Sequence, residues 1–258
     1  MIDKNDSPII WYIPGFRSGD DPQINVRQYL KRMYPDAEAF DSIIWENQGL
    51  VSPKNKAAAS AARGKGSILD TVTAPLRIFT GSLENMAAAP YSFLLEKTSA
   101  APLSILTKPL EKRWWQALSD VDTISDMLTN RIRALSSDKR QKLILIGHSL
   151  GGNVAIRTLA HLNRHNLSIR SAVLLGAAIG NKDENIPSAL KATLKPIHSM
   201  YNPYDAALTV FETVTVSQAL GKSGCGLAYN HAKFHEHCTA YSPTHSSDFY
   251  LSQWESIQ

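Results

Sequence analysis

Short apolar runs alternate with longer amphipathic segments along much of this chain. The most continuous runs occupy residues 9–13, 143–146 and 172–175, and between them apolar residues recur at every third or fourth position. A short apolar run is typical of a buried strand, whereas the longer spacing is typical of a helix with one apolar face. Strands without alternation are buried on both faces. The pattern therefore predicts an α/β fold in which helices cover both faces of a mostly parallel sheet.

Weaker signals extend this pattern. Two further strands are predicted at residues 42–45 and 196–201. Helices are predicted at residues 26–33, 118–135, 150–162 and 188–194, with a last one through Leu251 and Trp254. A chain of 258 residues is long enough to bury a substantial core, and we expect one domain that spans residues 1–258.

Residues 50–112 differ in character from the rest of the chain. Alanine and lysine are frequent between residues 54 and 65, and prolines then separate short apolar pieces such as 76–79 and 91–95. Because proline interrupts helices, this composition predicts several short helices. We interpret the segment as a helical lid or cap inserted between elements of the sheet.

The composition argues against several functional classes. Lys and Arg exceed Asp and Glu by 27 − 23 = 4, and the basic residues are scattered, which does not favour nucleic-acid binding. Two cysteines, Cys225 and Cys238, are too few for a disulfide-built domain. The first residues lack the apolar core of an export signal, and no apolar run reaches the roughly 20 residues that cross a bilayer. We therefore expect a cytoplasmic protein, or one delivered by a secretion route that needs no cleavable signal.

One motif carries chemistry. Gly147-His148-Ser149-Leu150-Gly151-Gly152 lies between an apolar strand and a predicted helix, and it matches the G-x-S-x-G pattern of a nucleophilic serine on a sharp turn. The flanking glycines let the strand and the helix approach closely. The turn raises the Ser149 hydroxyl at the positive end of a helix dipole, where the backbone N–H of Leu150 is placed to stabilise an oxyanion.

This motif in this context resembles the nucleophile elbow of the α/β-hydrolase superfamily, in its lipase and esterase branch. The resemblance covers the chain outside residues 50–112. It implies an oxyanion loop after an early strand, and here that strand ends in Pro14-Gly15-Phe16, with proline where the family usually has histidine. The N–H of Phe16 is the expected second oxyanion donor, since a backbone donor does not depend on the preceding side chain.

The resemblance also implies a catalytic acid and then a histidine after the serine. Asp205 follows the strand predicted at 196–201 and is the expected acid, with Asp183 and Glu184 as the competing acids. His245 precedes the last predicted helix and is the expected base, with His237 as its main competitor.

A cluster of metal-ligand residue types requires a second interpretation. His231, His235, His237 and Cys238 include spacings that are able to chelate a metal, but they lack the regular pairing of a structural zinc site. We therefore predict no metal and no organic cofactor.

The expected reaction is acyl transfer to water through an acyl-enzyme on Ser149. The apolar and basic residues of the predicted lid favour a lipase or phospholipase-like esterase that acts on acyl lipids and contacts a membrane surface peripherally. A small-molecule ester is the alternative substrate. Three alternatives share the same residues: an inactive relative that serves as a binding module, a lipase-type toxin effector, and a peptidase or amidase.

Overall fold

The computed structural model describes residues 7–15, 22–43, 103–225 and 231–257. In this part of the chain six parallel strands form one sheet in the order β2-β1-β3-β4-β5-β6. The strands are β1 (Ile9–Ile13), β2 (Ala39–Ser42), β3 (Leu143–His148), β4 (Ser171–Leu175), β5 (Ile197–Tyr201) and β6 (Phe234–Cys238). The predicted α/β class with a parallel sheet is confirmed.

Helices connect these strands and cover the sheet. Those of the described residues are α1 (Pro22–Met33), α2 (Leu103–Arg133), α3 (Ser137–Lys142), α4 (Leu150–Arg164), α5 (Asn185–Lys191), α6 (Ala206–Thr215), α7 (Leu220–Ser223) and α8 (Ser247–Glu255). No helix in the described ranges combines the length and the apolar character that crossing a membrane requires.

Two apolar clusters lie on opposite faces of the sheet. Alternate side chains of β1 enter different clusters, with Ile9, Trp11 and Ile13 on one face and Ile10 and Tyr12 on the other. Helices α2, α4 and α5 cover the first face, while α1 and α8 cover the second. Burial on both faces explains why the central strands are apolar throughout.

Since all the strands run in the same direction, the loops that follow them meet at one edge of the sheet. The turns after β1 and β3, the loop after β4 and the loops that precede α6 and α8 all lie there. In α/β sheets this carboxyl edge is where ligands bind. The fold therefore brings together segments that are far apart in the sequence.

Several element boundaries differ from the sequence expectation. The second strand covers Ala39–Ser42 instead of residues 42–45, because its pairing with β1 begins at Ile9 opposite Ala39. Ile43 stays buried just beyond the strand and still donates its N–H to the Tyr12 carbonyl at 2.8 Å. Helix α5 covers Asn185–Lys191, about one turn earlier than expected.

Two elements at the far edge of the sheet were not expected at all. Strand β6 has the sequence Phe-His-Glu-His-Cys, and its polar composition reflects an edge position in which only Phe234 is buried. Helix α6 is rich in β-branched residues, which lower helix propensity, and it is begun by Asp205, whose side chain accepts from the Leu208 N–H.

The predicted insertion falls mainly outside the described residues. Residues 44–102 belong to the part of the chain that is not described. Residues 103–112, which we assigned to the insertion, form the first part of α2, and Pro109 lies within that helix.

Candidate active site

Ser149 lies at a sharp turn between β3 and α4. Its backbone has φ 55° and ψ −124°, a conformation that a residue with a side chain rarely adopts. A Cβ added at Gly151 would lie 2.0 Å from the Ile13 carbonyl oxygen, and one added at Gly147 would lie 2.5 Å from the Gly151 carbonyl oxygen. Only glycine fits at these two positions, because the helix start is pressed against the strands.

Hydrogen bonds to the segment around β4 hold this strained turn. The Ser149 N–H donates to the Leu175 carbonyl at 3.0 Å, and the Ser149 carbonyl accepts from the Gly152 and Ala178 N–H groups at 3.0 and 2.9 Å. The buried turn thus has its backbone groups paired, which offsets part of the strain. The residue is 6% exposed, so the hydroxyl lies in a largely desolvated position.

Asp205 is fully buried and accepts three hydrogen bonds. Its Oδ1 accepts from the Leu208 N–H at 2.9 Å. Its Oδ2 accepts from His245 Nδ1 at 2.6 Å and from the Tyr250 hydroxyl at 2.7 Å. The carboxylate at Oδ2 therefore fixes the His245 tautomer with the proton on Nδ1, which leaves Nε2 as a proton acceptor.

The loops that carry the acid and the histidine are joined directly. The buried Asn202 side chain follows β5 and donates through Nδ2 to the Ser242 carbonyl at 2.5 Å and to the Thr244 carbonyl at 3.4 Å. The Ala206 N–H donates to the Pro243 carbonyl at 3.4 Å. These bonds fix the spacing between the Asp205 turn and the segment that ends in His245.

His148 joins the serine turn to the same segment. Its Nε2 lies 2.9 Å from the His245 carbonyl oxygen and donates to it, and the centroids of the two rings are 4.9 Å apart. Burial, with a smaller contribution from neighbouring His245, lowers the pKa of His148 to about 3. The ring is therefore neutral at ordinary pH, and its bond brings the segment that carries His245 to the residue that precedes Ser149.

The turn after β1 approaches the serine closely. A Cβ added at Gly15 would lie 2.7 Å from the Ser149 Cβ. Leu150 is the first residue of α4, and the first N–H groups of a helix have no partner within the helix. The oxyanion hole of Leu150 and Phe16 stays a prediction, since Phe16 lies outside the described residues.

The competing acids lie in a different setting. Asp183 Oδ1 accepts from the Asn185 N–H and from the Asn185 side chain, each at 2.9 Å, at the start of α5. Glu184 is exposed in the same turn. Asp205, in contrast, is brought together with His245.

The competing histidine contacts other histidines. His237 on β6 stacks on His198 of β5, and its Nε2 lies 3.1 Å from His198 Nδ1. His235 lies against the edge of the same His198 ring. Within the described ranges, no group of three or more His, Cys, Asp or Glu side chains is arranged to hold a metal ion. His231 and Cys238 are both exposed.

Sequence reasoning missed three residues that hold this site together: His148, Asn202 and Tyr250. Asn202 and Tyr250 carry no motif signal, because their role depends on contacts between loops about 40 residues apart. His148 lies within the motif itself, yet its contact with the His245 backbone depends on the loop before α8.

One protein family matches part of this chain. Residues 111–217, which include the Ser149 turn, match a family described as "Serine aminopeptidase, S33". A search of curated proteins found no match. The matched residues run from within α2 to just beyond α6 and make up less than half of the chain.

Two solved structures are also similar over most of their length. One is the RedJ thioesterase from the prodiginine biosynthetic pathway in Streptomyces coelicolor, with 11% identity and a TM-score of 0.47 over 99% of this chain and 88% of that chain. The other is RedJ with a PEG molecule bound in its active site, with 10% identity and a TM-score of 0.44 over 99% of this chain and 92% of that one.

Proposed function

We propose that this protein is a serine hydrolase that cleaves carboxylic esters with Ser149, Asp205 and His245 as its triad. The observation that carries the proposal is the 2.6 Å bond between His245 Nδ1 and Asp205 Oδ2, on loops held next to a strained nucleophile turn. A buried acid, an oriented histidine and a serine on a G-x-S-x-G turn are the three parts that this chemistry requires.

The reaction follows from the positions of these groups. Ser149 Oγ attacks the ester carbonyl carbon while its proton passes to His245 Nε2, and Asp205 stabilises the imidazolium that forms. The tetrahedral oxyanion accepts from the N–H groups of Leu150 and Phe16. The intermediate then collapses: the carbonyl–alkoxy bond breaks, His245 returns the proton to the leaving alcohol, and an acyl-Ser149 remains.

Water completes the cycle by the same steps. His245 takes a proton from water, whose oxygen attacks the acyl carbonyl. The second tetrahedral intermediate releases the carboxylic acid, and the proton returns to Ser149 Oγ. No metal or organic cofactor takes part in this scheme.

Exposed aromatic side chains beside the triad favour a substrate with an apolar part. Tyr204, next to Asp205, and Tyr241, four residues before His245, are 60% and 76% exposed, and their ring centroids are 5.0 Å apart. Tyrosine is favoured where one end of a side chain meets an apolar phase and the other meets water. We therefore propose acyl lipids as the substrate class, with peripheral contact to a lipid surface.

The first experiment is labelling of the purified protein with a fluorophosphonate probe, followed by intact mass measurement. We expect a single adduct on the wild type and on Ser188→Ala, a control serine on α5, and none on Ser149→Ala. An adduct of equal yield on Ser149→Ala would contradict the proposed nucleophile. Esters of short and long acyl chains, each with and without lipid vesicles, then test the substrate class. A preference for short soluble esters, unaffected by vesicles, would contradict an acyl-lipid substrate.

A peptidase is the second candidate, and the match of residues 111–217 to a serine aminopeptidase family favours it. The two activities share every catalytic step except the leaving group, which is an amine in the peptidase. Aminoacyl p-nitroanilides and p-nitrophenyl esters compared at equal enzyme concentration separate them. Faster turnover of the anilides would replace the esterase proposal with the peptidase.

A further inference from the structure

Tyr250 donates to Asp205, the acid of the proposed triad, at the carboxylate oxygen that does not begin helix α6. Its hydroxyl lies 2.7 Å from Asp205 Oδ2, the same oxygen that accepts from His245 Nδ1. Tyr250 has no exposed surface, and its ring packs in the apolar cluster beneath the carboxyl edge of the sheet. The hydroxyl therefore meets a charged oxygen in a desolvated place, where such a bond is strong.

The chain is built to hold that hydroxyl in place. Gly176, at the end of β4, has φ +53°, and a Cβ there would lie 2.6 Å from the Cε2 and Cζ atoms of Tyr250 and 2.8 Å from its hydroxyl oxygen. A glycine therefore leaves the room that the phenol occupies. Helix α8 begins two residues after His245, with the Ser246 side chain accepting from the Phe249 N–H at 3.2 Å. The short segment 245–250 thus delivers two donors to one carboxylate oxygen.

We propose that Tyr250 is a positioning residue. Its hydroxyl orients the Asp205 carboxylate and stabilises the negative charge of this group, and it thereby sets how strongly His245 binds a proton. This inference rests on the proposed function, since it assigns a role within the same triad. A donor on Oδ2 prevents the carboxylate from rotating away from the imidazole. The same hydrogen bond stabilises the negative charge of the carboxylate, so that this charge attracts the His245 imidazolium less strongly.

The phenol is able to perform this role across the whole working range of pH. Burial, and then the charge of Asp205, raise the pKa of Tyr250 well above its ordinary value. The hydroxyl therefore remains a donor and does not become a phenolate. The ring also lies edge-on to His245 at a centroid distance of 6.2 Å, so it contacts both partners of the Asp205–His245 pair.

The test is the pH profile of kcat/KM for Tyr250→Phe on the p-nitrophenyl ester that the wild type cleaves. Without the tyrosine hydroxyl, the Asp205 carboxylate stabilises the His245 imidazolium more strongly. We therefore expect the acid limb of the pH profile to move to higher pH by roughly 0.5 unit or more. We expect kcat to fall roughly fivefold to thirtyfold. KM should stay unchanged, because Tyr250 has no exposed surface with which to contact the substrate.

Tyr34→Phe is the matched control. The Tyr34 hydroxyl accepts from Trp254 Nε1 of the same helix α8 at 3.4 Å, so this variant also removes a tyrosine hydroxyl that contacts α8, but away from Asp205. We expect the pH profile of the control to match that of the wild type. An unshifted acid limb in Tyr250→Phe, even with a lower kcat, would reduce Tyr250 to a packing residue and overturn the inference.

A second replacement keeps the test valid if Tyr250→Phe does not fold. A fluorotyrosine placed at position 250 keeps the ring and strengthens the hydroxyl as a donor, and the acid limb should then move down. No movement, or movement in the upward direction, contradicts the inference. Failure of the proposed function would look different, because Ser149→Ala would then keep its activity whatever happens at position 250.

Discussion

At the scale of single residues, Asp205 has two tasks that are separable. Its Oδ1 begins α6 by accepting from the Leu208 N–H, and its Oδ2 accepts from His245 and Tyr250. Asparagine is as good as aspartate at a helix start, but it carries no charge and its side-chain nitrogen does not accept. Replacement by asparagine therefore separates the structural task from the electrostatic one.

We expect Asp205→Asn to fold with a melting temperature near that of the wild type and to lose roughly 10³- to 10⁴-fold in kcat. The loss arises because an amide nitrogen facing His245 Nδ1 favours the wrong tautomer and leaves the imidazolium unpaired. Steady-state kinetics and circular dichroism measure the two effects. Asp183→Asn is the control, and an equal loss of activity there would return the role of the acid to the competing residue.

At the scale of elements, the site depends on the close approach of α4 to β1. A Cβ at position 151 would lie only 2.0 Å from the carbonyl oxygen of Ile13. The peptide of Ile13 belongs to the paired region of β1 and β3, so it has little freedom to move aside. A single methyl group at position 151 must therefore displace a helix or break part of the sheet.

We expect Gly151→Ala to lower the free energy of unfolding by about 3 kcal/mol or more, because overpacking against backbone relaxes poorly. Gly180→Ala is the matched control: its Cβ would come within 2.8 Å of the Ser217 Oγ only, and that side chain is able to rotate. Urea denaturation of both variants measures the difference. Equal stability of the two variants would show that a side chain at position 151 is accommodated between α4 and β1, which would contradict the prediction.

At the scale of the whole molecule, two histidines couple stability to pH: the buried His148 and the half-buried His198. Burial lowers the pKa of His148 to about 3 and that of His198 to about 4, with His237 and His235 contributing at His198. In the unfolded chain a histidine titrates near 6.5, so below that pH the unfolded state binds more protons than the folded state. Stability is therefore complete above about pH 6.5 and is lost as the pH falls towards these lower values.

We expect the melting temperature to fall between pH 7.5 and pH 5. A fully buried histidine such as His148 accounts for about 2 kcal/mol of that loss at pH 5. His198→Gln removes one of the two groups and should make the fall smaller, whereas His165→Gln, at an exposed position after α4, should leave it unchanged. Differential scanning calorimetry at the two pH values measures this. A fall of the same size in all three proteins would contradict a role for His198.

The positions of the central strands and of the Ser149 turn were predictable because their signals are local. Apolar runs reveal strands that are buried on both faces, and a G-x-S-x-G sequence between a strand and a helix requires close packing that only glycine permits. The order serine, acid, histidine, which the resemblance implies, indicated Asp205 and His245. In the structure Asp205 Oδ2 lies 2.6 Å from His245 Nδ1. Elements with weak local signals, such as the polar edge strand β6, were missed.

The sequence by itself determined the class of fold and the position of the nucleophile turn, because both depend on short-range patterns. The resemblance that this turn carries then supplied the candidate residues for the proposed triad. Only the tertiary structure decided which loops meet: Asn202 with the Ser242 carbonyl, His148 with the His245 backbone, and Tyr250 with Asp205. These contacts cross from 40 to 97 positions of the sequence. They form because parallel strands bring their carboxyl ends to one edge, and no local pattern encodes such a meeting.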